Sequence, residues 1–284
     1  MGSTRLPGKV LKELSGLPLL WHVVERLKNA KLVDKIIIAT TTNPEDDALE
    51  EFAHYHNILV YRGSSEDVLN RFLLAAQAFE VDTVVRICAD SPLIDPITID
   101  ELIRLQKKEK ADVVSIEASK TSLLDGFEVI TTHSLEWMNA QKLKAYHREH
   151  VSVYAKEHPK KAKVVYYEPP KELCYTDIRI TVDTPEDFHF MQEVYNWLYE
   201  KDKLIDVRRL DKLPFSLFRL NASIRQKPAA TQTIHIQIIA PSMDDDLKEV
   251  KTILENSSRV KVDFHQTLPE TTSKKPTLTL QKIS

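Results

Sequence analysis

Glycine, serine and two basic residues are gathered at the start of the chain, in the stretch GSTRLPGKVL. Gly2, Ser3 and Gly8 would let backbone N–H groups approach phosphate oxygens. Arg5 would offer those oxygens a planar fork of donors, and Lys9 a single positive charge. The spacing therefore indicates a phosphate-binding loop. A surface turn with two solvated cations would show the same residue types, and this alternative stays open on the residues alone.

Two aspartates, Asp90 and Asp183, each follow a β-branched run that predicts a strand. Ligands of an open α/β sheet bind outside the carboxyl ends of its strands, so both carboxylates are expected at one edge of the sheet. Mg²⁺ takes one or two protein carboxylates and completes its shell with water and substrate phosphates. The pair therefore predicts a magnesium site. The alternative for both aspartates is that they cap the helices that follow.

Short Val- and Ile-rich runs alternate with amphipathic patterns, which predicts an α/β fold with a mostly parallel sheet covered by helices. The stretch LLWHVVERLKNA predicts a helix, and DKIIIATTT predicts the strand after it. Further strands are expected over DTVVRICAD, ending at Asp90, and over Ile178–Val182. Thr184 and Asp187 predict a capping box for the next helix, with Pro185 in its first turn.

The rest of the chain predicts one more long helix and a small appendage. The stretch AYHREHVSVYAKEHP predicts a single helix that ends before Pro159. The α/β domain is expected to span residues 1–222, with a linker over residues 223–233. Residues 234–284 show a strand, helix and strand pattern and then a polar tail. About fifty residues is little for an independent core, so this β-α-β segment is expected to dock elsewhere or to be a fragment.

Composition and charge exclude several classes of protein. The 284 residues are 42% hydrophobic and 29% charged, which is typical of a globular protein. Lys and Arg number 39 against 42 Asp and Glu, so no overall basic field attracts nucleic acid or an anionic membrane. No apolar run reaches the roughly 18 residues that a membrane span needs. Cys88 and Cys174 have no metal-ligand spacing and fit a reducing compartment, so a cytoplasmic location is expected.

Six stretches, in this order over residues 1–220, resemble one enzyme family: GSTRLPGKVLKELSGLPLLWHVVERL, IIIATTTNPEDDALEEFA, VYRGSSEDVLNRF, VVRICADSPLIDP, YHREHVSVY and RITVDTPEDF. They are similar to the cytidylyltransferases of spore-coat polysaccharide biosynthesis, which are relatives of the CMP-KDO and CMP-acylneuraminate synthetases. The resemblance implies the three-layer α/β/α sandwich of the nucleotide-diphosphosugar transferases. It also implies a Mg²⁺-dependent reaction that couples CTP to a sugar, often an acidic one, and releases pyrophosphate.

The resemblance further implies a role for each matching residue. Arg5 and Lys9 would hold the CTP phosphates, while Asp90 and Asp183 would hold Mg²⁺. The nucleotide would lie near the loop and near a second segment, through Gly2, Ser3, Gly8, Ser64, Asp67 and Arg71. The sugar side would be formed by Arg148, Glu149 and His150. His150 is a candidate general base, although a histidine in this setting equally serves to orient a neighbour.

The sequence departs from the family pattern at three places. Relatives have a strand ending in QAR just before the position of Met1, so the chain is expected to be truncated there and to lack a central strand. Ala89 replaces the glycine that relatives have before the metal aspartate, and Ile130 stands where they often have a glutamate.

These departures keep three hypotheses open. The first is an active cytidylyltransferase, whose partners are CTP and a small sugar. The second is an impaired remnant that still binds nucleotide or a partner. The third is a metal-dependent sugar transferase on the same scaffold, although the Asp-x-Asp signature expected of it does not follow the VVRICAD strand. A homodimer is left open, and neither nucleic acid nor a membrane is expected as a partner.

Overall fold

A computed structural model describes residues 1–116, 126–175, 178–201 and 203–224, together with three strands further along the chain. By its internal contacts the chain divides into two compact units, Met1–Arg225 and Gln226–Ser284. None of the helices in the described ranges combines the length and the apolar composition needed to cross a bilayer.

Helices and strands alternate through the first unit, which confirms the predicted α/β class. In chain order they are β1 (Glu13–Leu14), β2 (Leu17–Pro18), α1 (Leu19–Lys28), β3 (Ile37–Thr41), α2 (Asp47–Tyr55), β4 (Leu59–Gly63), α3 (Val68–Ala78), β5 (Thr83–Arg86), α4 (Pro96–Glu109), β6 (Val113–Ile116), β7 (Glu128–Thr131), α5 (Thr132–Asn139), α6 (Ala145–Glu149), α7 (Val153–Glu157), β8 (Val164–Tyr167) and α8 (Pro185–Leu198). Short 3₁₀ helices cover Lys9–Leu11, Pro44–Asp46, Lys171–Leu173, Val207–Lys212 and Leu217–Arg219.

The strands of the first unit form separate sheets. β1 and β2 make a small antiparallel hairpin, and β3 pairs parallel with β4. The third sheet has the order β5-β7-β6-β8, in which β7 runs antiparallel to both β5 and β6, and β6 runs parallel to β8. The expected parallel character is therefore found in β3–β4 and β6–β8, while the insertion of β7 makes the four-stranded sheet mixed.

Both strands that were expected to end at the predicted metal aspartates differ from prediction. β5 ends at Arg86, because the chain then turns, with the Ser91 amide donating to the Cys88 carbonyl at 3.2 Å. No strand is assigned over residues 178–182. Instead, the Val182 amide donates to the Asp90 carbonyl at 2.9 Å. The two loops that carry Asp90 and Asp183 are thus joined directly, although neither aspartate follows a strand end.

The single helix predicted over residues 145–159 is two short helices, α6 and α7. The chain leaves helical geometry at His150, whose φ and ψ are −107° and 77°, and becomes helical again at Val153. Ser152, which lies in the break, is 1% exposed, and its hydroxyl donates to the carboxylate of Glu128 on β7. This tertiary contact holds the break against the sheet.

The core of the first unit lies under the two aspartate loops. Its largest cluster packs α4 against α8, with Leu102 and Phe190 both fully buried. Ile94 and Val182, which lie on the aspartate loops, are fully buried in the same cluster. Burying a side chain of this size stabilises a fold by about 1.5–3 kcal/mol, so these residues anchor both loops. Smaller clusters lie between α3 and α5 and between α1 and α2.

The predicted capping box at the start of α8 is confirmed. The Thr184 hydroxyl accepts from the Asp187 amide at 3.2 Å, and the Asp187 carboxylate accepts from the Thr184 amide at 3.1 Å. The same carboxylate also accepts from the Asp183 amide at 3.1 Å. The cap therefore fixes the backbone of Asp183 as well as the helix.

The described part of the second unit consists of β9 (Thr233–Ile236), β10 (Val260–His265) and β11 (Thr277–Lys282), paired antiparallel in the order β10-β11-β9. The two strands predicted in this region correspond to β9 and β10, while β11 forms where only a polar tail was expected. The helix predicted over residues 243–257 and most of the predicted linker lie outside the described residues, and the predicted domain borders stay predictions.

We expect Thr184→Ala to lower the free energy of unfolding by about 1 kcal/mol, because it removes the side-chain acceptor of the α8 cap. Thr184→Ser keeps the hydroxyl and should retain most of the stability. Chemical denaturation of the two variants and the wild type measures the difference. Equal losses in both variants would show that the cap hydroxyl contributes nothing.

Candidate functional site

The ammonium group of Lys9 lies between the carboxylates of Asp90 and Asp183. Its Nζ is 2.8 Å from Oδ2 of Asp90 and 2.7 Å from Oδ1 of Asp183. These aspartates are 81 and 174 residues further along the chain. The predicted phosphate loop and the predicted metal aspartates therefore form one site, here called the Lys9 site.

The loop before Lys9 is shaped by its glycines and by Ser3. Gly8 has a φ of +66°, a backbone conformation that residues with L side chains rarely adopt. It directly precedes the 3₁₀ helix that carries Lys9. The Ser3 amide donates to the Met1 carbonyl at 2.9 Å, and its hydroxyl accepts from the Leu6 amide at 3.4 Å. Gly2 is exposed, and a Cβ there would lie 3.2 Å from a carboxylate oxygen of Glu45.

Two arginines complete the Lys9 site. Arg5 lies 3.2 Å from Oδ2 of Asp183. Arg179 contacts the same oxygen and reaches Oδ1 of Asp187 at 3.0 Å through Nε. Sequence analysis missed Arg179, because its spacing of four residues from Asp183 has a meaning on a helix but not in an irregular segment. Among the described residues, three cationic side chains thus contact three carboxylates.

The charges of the site hold one another in the ionised form. Burial alone would lower the pKa of Lys9, but Asp90 and Asp183 outweigh it, and the pKa is raised. Burial would also raise the pKa of Asp183, but hydrogen bonding to Lys9 and the charges of the neighbouring cations lower it. The side chains of Lys9 and Asp183 are only 13% and 16% exposed, so water screens their contact weakly.

The donor set of the Lys9 site fits Mg²⁺. Carboxylate oxygens of Asp90 and Asp183 both point at one position, which the Lys9 ammonium now fills. Mg²⁺ is held by one or two carboxylates and keeps the rest of its shell for water and phosphate. Among the described residues no group of three or more His, Cys, Asp or Glu side chains is arranged to hold a metal. A metal at this site would therefore need phosphate or water ligands in addition.

The predicted nucleotide segment forms a closed turn at the start of α3. The Ser64 hydroxyl accepts from the Asp67 amide at 3.1 Å, and Asp67 caps α3 by accepting from the Asn70 amide at 2.9 Å. Arg71 donates to the Ser64 carbonyl at 2.6 Å. Its buried Nε is unpartnered, the sole side-chain atom of this kind in the described part of the chain. The structure thus brings the three predicted residues together and leaves one buried donor unused.

The residues predicted for the sugar side take up different positions. Arg148 lies 3.1 Å from Asp67 and also donates to Asn139, so it joins α6 to the nucleotide segment. The Glu149 side chain is 69% exposed. His150 lies at the break between α6 and α7, where burial lowers its pKa. No described contact links these three residues to the Lys9 site, and their sugar-binding role stays a prediction.

A buried ion cluster that the sequence analysis missed lies at the end of β5. The side chain of Glu128 is 7% exposed and lies 3.3 Å from Arg86 and 2.7 Å from Lys156. These residues come from β7, β5 and α7, so no local spacing in the sequence reveals the cluster. Glu128 lies two residues before Ile130 on β7, and alternation places both side chains on one face of the strand. A glutamate is therefore present on that face of β7, two residues before the position at which relatives often have one.

Comparison with known proteins identifies close relatives of the first unit. A family model described as Cytidylyltransferase matches residues 1–223. An uncharacterized protein of Methanocaldococcus jannaschii is 39% identical over 234 residues, which are 80% of this chain and 93% of the relative. The spore coat polysaccharide biosynthesis protein SpsF of Bacillus subtilis is 32% identical over 200 residues, which are 69% of this chain and 82% of the relative.

Solved structures and shorter matches agree with these relatives. A cytidylyltransferase of Leptospira borgpetersenii is 28% identical, with a TM-score of 0.66 over 78% of this chain and 90% of that one. Curated cytidylyltransferases for 3-deoxy-manno-octulosonate and its 8-amino-3,8-dideoxy relative match over shorter stretches, including 101 and 138 residues in two bacteria.

We expect Lys9→Met to destabilise the fold when no divalent cation is present, because Asp90 and Asp183 then face each other without their shared ammonium. Removing one partner of a largely buried charge pair costs roughly 1–3 kcal/mol. Mg²⁺ should restore part of the loss, so the variant's melting temperature should rise more with Mg²⁺ than that of the wild type. Thermal melts in EDTA and in Mg²⁺ measure both effects.

The exposed Lys28→Met is the matched control for that experiment, since Lys28 pairs with Glu25 on the surface of α1. It should melt like the wild type in both conditions. If Mg²⁺ raises the melting temperature of Lys9→Met no more than that of the wild type, the two carboxylates do not form a cation site.

The lowered pKa of Asp183 sets the direction of its pH effect. The folded protein binds the proton of this carboxyl less readily than the unfolded chain does, so its stabilisation is complete above the ordinary pKa of 3.8 and is lost as the pH falls below it. Asp183→Asn should therefore be less stable than the wild type at pH 7, and the difference should shrink in acid. Urea denaturation between pH 7 and pH 2 tests this, and a constant difference would contradict it.

Proposed function

The chain belongs to the cytidylyltransferase family, and we propose that it transfers the cytidylyl group of CTP to an acidic sugar, giving a CMP-sugar and pyrophosphate. The observation that carries this proposal is the convergence of Lys9, Asp90 and Asp183 within hydrogen-bonding distance. The loop supplies cations for phosphates, and the two aspartates supply oxygens for a metal.

The reaction needs little covalent chemistry from the protein. A sugar hydroxyl attacks the α-phosphorus of CTP, the bond to the bridging oxygen breaks, and that oxygen leaves with pyrophosphate. Negative charge grows on the phosphate oxygens, and fixed cations stabilise it most where water is excluded. Arg5 and Lys9 lie together on the loop and are suited to this role, since one offers a fork of donors and the other a point charge.

The two aspartates would hold Mg²⁺ in the proposed complex. A bound magnesium ion supplies charge neutralisation at the phosphates. In the structure both carboxylates are turned toward the ammonium of Lys9. We infer that Lys9 exchanges these carboxylates for phosphate oxygens when nucleotide and metal arrive together. Lys9 would then preserve the geometry of the empty site and bind substrate in the filled one.

The sugar hydroxyl must lose its proton during the attack. His150 is the candidate acceptor, since its lowered pKa keeps the ring neutral near pH 7, as a general base requires. An acidic sugar is the proposed acceptor, because the chain resembles enzymes that activate such sugars. The spore-coat relative supports a place for the product in surface polysaccharide biosynthesis.

We expect Asp90→Asn to lower pyrophosphate release from CTP by roughly 100-fold or more, because it removes a charged ligand and its electrostatic effect on the transition state. Activity is measured with Mg²⁺ and either 3-deoxy-manno-octulosonate or N-acetylneuraminate as acceptor. The fold should survive, since the substitution keeps the shape of the side chain.

Asp47→Asn is the matched control, because Asp47 is 59% exposed and pairs with Arg62 at the surface. This variant should release pyrophosphate at the wild-type rate. Full activity of Asp90→Asn would exclude Asp90 as a metal ligand. A wild-type protein that binds CTP but turns over neither sugar acid would refute the proposed acceptor class.

A further inference from the structure

We propose that Arg86 binds the acidic group of the sugar and that Glu128 and Lys156 fix its position. The proposal rests on the cytidylyltransferase function proposed above and assigns a specificity-determining residue to it. Arg86 ends β5 and Glu128 begins β7, and the two residues are direct partners in the sheet. The acidic group would thus be held by the rigid edge of the four-stranded sheet.

The hydrogen bonding of Arg86 leaves most of its donors unused. A guanidinium carries five N–H donors in a fixed plane. In the described contacts Arg86 makes one side-chain hydrogen bond, from Nη1 to Oε2 of Glu128 at 3.3 Å. Its side chain is 18% exposed, so the group is largely buried. Among the described residues no nitrogen of Arg86 is both fully buried and unpartnered, so its unused donors can be reached. A carboxylate that reaches them could accept a pair of parallel hydrogen bonds.

The charges around Glu128 do not balance. Its Oε1 accepts from Lys156 at 2.7 Å and from the Ser152 hydroxyl, while its Oε2 faces Arg86. Both oxygens are therefore engaged, and one carboxylate is shared by two cations. Among the described residues in direct contact, the cluster has one more positive than negative charge, where the side chains of Arg86 and Lys156 are 18% and 28% exposed. A single negative charge on a ligand would complete it.

The cluster lies on the side of the fold where the sugar is expected. Arg86 is at the carboxyl end of β5, shortly before Asp90 in the chain, and ligands of α/β sheets bind at such ends. Burial opposes the charge of Arg86, but Cys88, Glu128 and Asp90 outweigh this and raise its pKa. The charges of Arg86 and Glu128 also act on His150. The cluster is therefore within electrostatic reach of both the Lys9 site and the predicted sugar side.

A purely structural ion pair would have a different composition. Buried charges are normally matched, because an unpaired one is expensive to desolvate. Among the described residues, the Lys9 site follows this rule, with three cations and three carboxylates. The Glu128 cluster does not, since its two described cations share one carboxylate. Arg86 lies further from Glu128 than Lys156 does, at 3.3 Å against 2.7 Å, and it keeps unused donors, so it is the cation proposed to bind the acid.

The test compares each sugar acid with its own methyl ester, which keeps the shape and removes the charge. Binding of 3-deoxy-manno-octulosonate, N-acetylneuraminate and both esters is measured by calorimetry in the presence of CDP and Mg²⁺, so that no turnover occurs. The wild type should bind one of the acids roughly 10- to 100-fold more tightly than its ester. Arg86→Gln should lose this preference and keep its affinity for CTP.

Arg104→Gln is the control, because Arg104 is 58% exposed on α4 and lies outside the cluster. It should keep the preference for the acid. If Arg86→Gln does not fold, the comparison uses Arg86→Lys, whose preference should fall below that of the wild type without vanishing.

Three results would overturn the inference: no preference for acid over ester in the wild type, an unchanged preference in the Arg86 variant, or a parallel loss of CTP binding with sugar binding. The proposed function fails on a separate observation, the absence of pyrophosphate release from CTP by the wild type with either acid.

Discussion

Two carboxylates that share one ammonium are the constraint on which the first unit depends. Asp90 and Asp183 each place an oxygen within 3 Å of Lys9 Nζ, so without a cation they would repel one another. Removing the shared cation is expected to cost roughly 1–3 kcal/mol. The ammonium that the first loop places between the two carboxylates therefore stabilises the approach of the two aspartate loops.

The rest of the unit holds that geometry in place. The Val182 amide joins the two aspartate loops, and the capping box of α8 fixes the backbone of Asp183. Ile94 and Val182 carry the loops down into the largest cluster of the core. Buried packing sets the distance between the carboxylates, and the charges then set what can occupy the space between them.

The sequence predicts those features whose causes are local. The cap formed by Thr184 and Asp187 and the turn at Gly8 both follow from residue types at short spacing; phosphate binding by that turn stays a prediction. The absence of a strand over residues 178–182 and the break at His150 do not, because each depends on a partner far along the chain. The Val182–Asp90 and Ser152–Glu128 hydrogen bonds are of this kind. Arg86 was missed for the same reason, since its partner Glu128 becomes a neighbour only through folding.

Charge balance distinguishes the two ionic clusters, and in the proposed function each would meet a different substrate. Among the described residues the charges of the Lys9 site balance, so a strongly anionic nucleotide triphosphate would need further positive charge to be held there. A divalent cation held by Asp90 and Asp183 would supply that charge and would leave Lys9 free for the phosphates. The described contacts of the Glu128 cluster already include one more positive than negative charge, so it would need no added ion to hold one carboxylate. In this proposal the two substrates meet the charge they lack in different places, and the nucleotide and the acidic sugar would bind together without competing for the same cations.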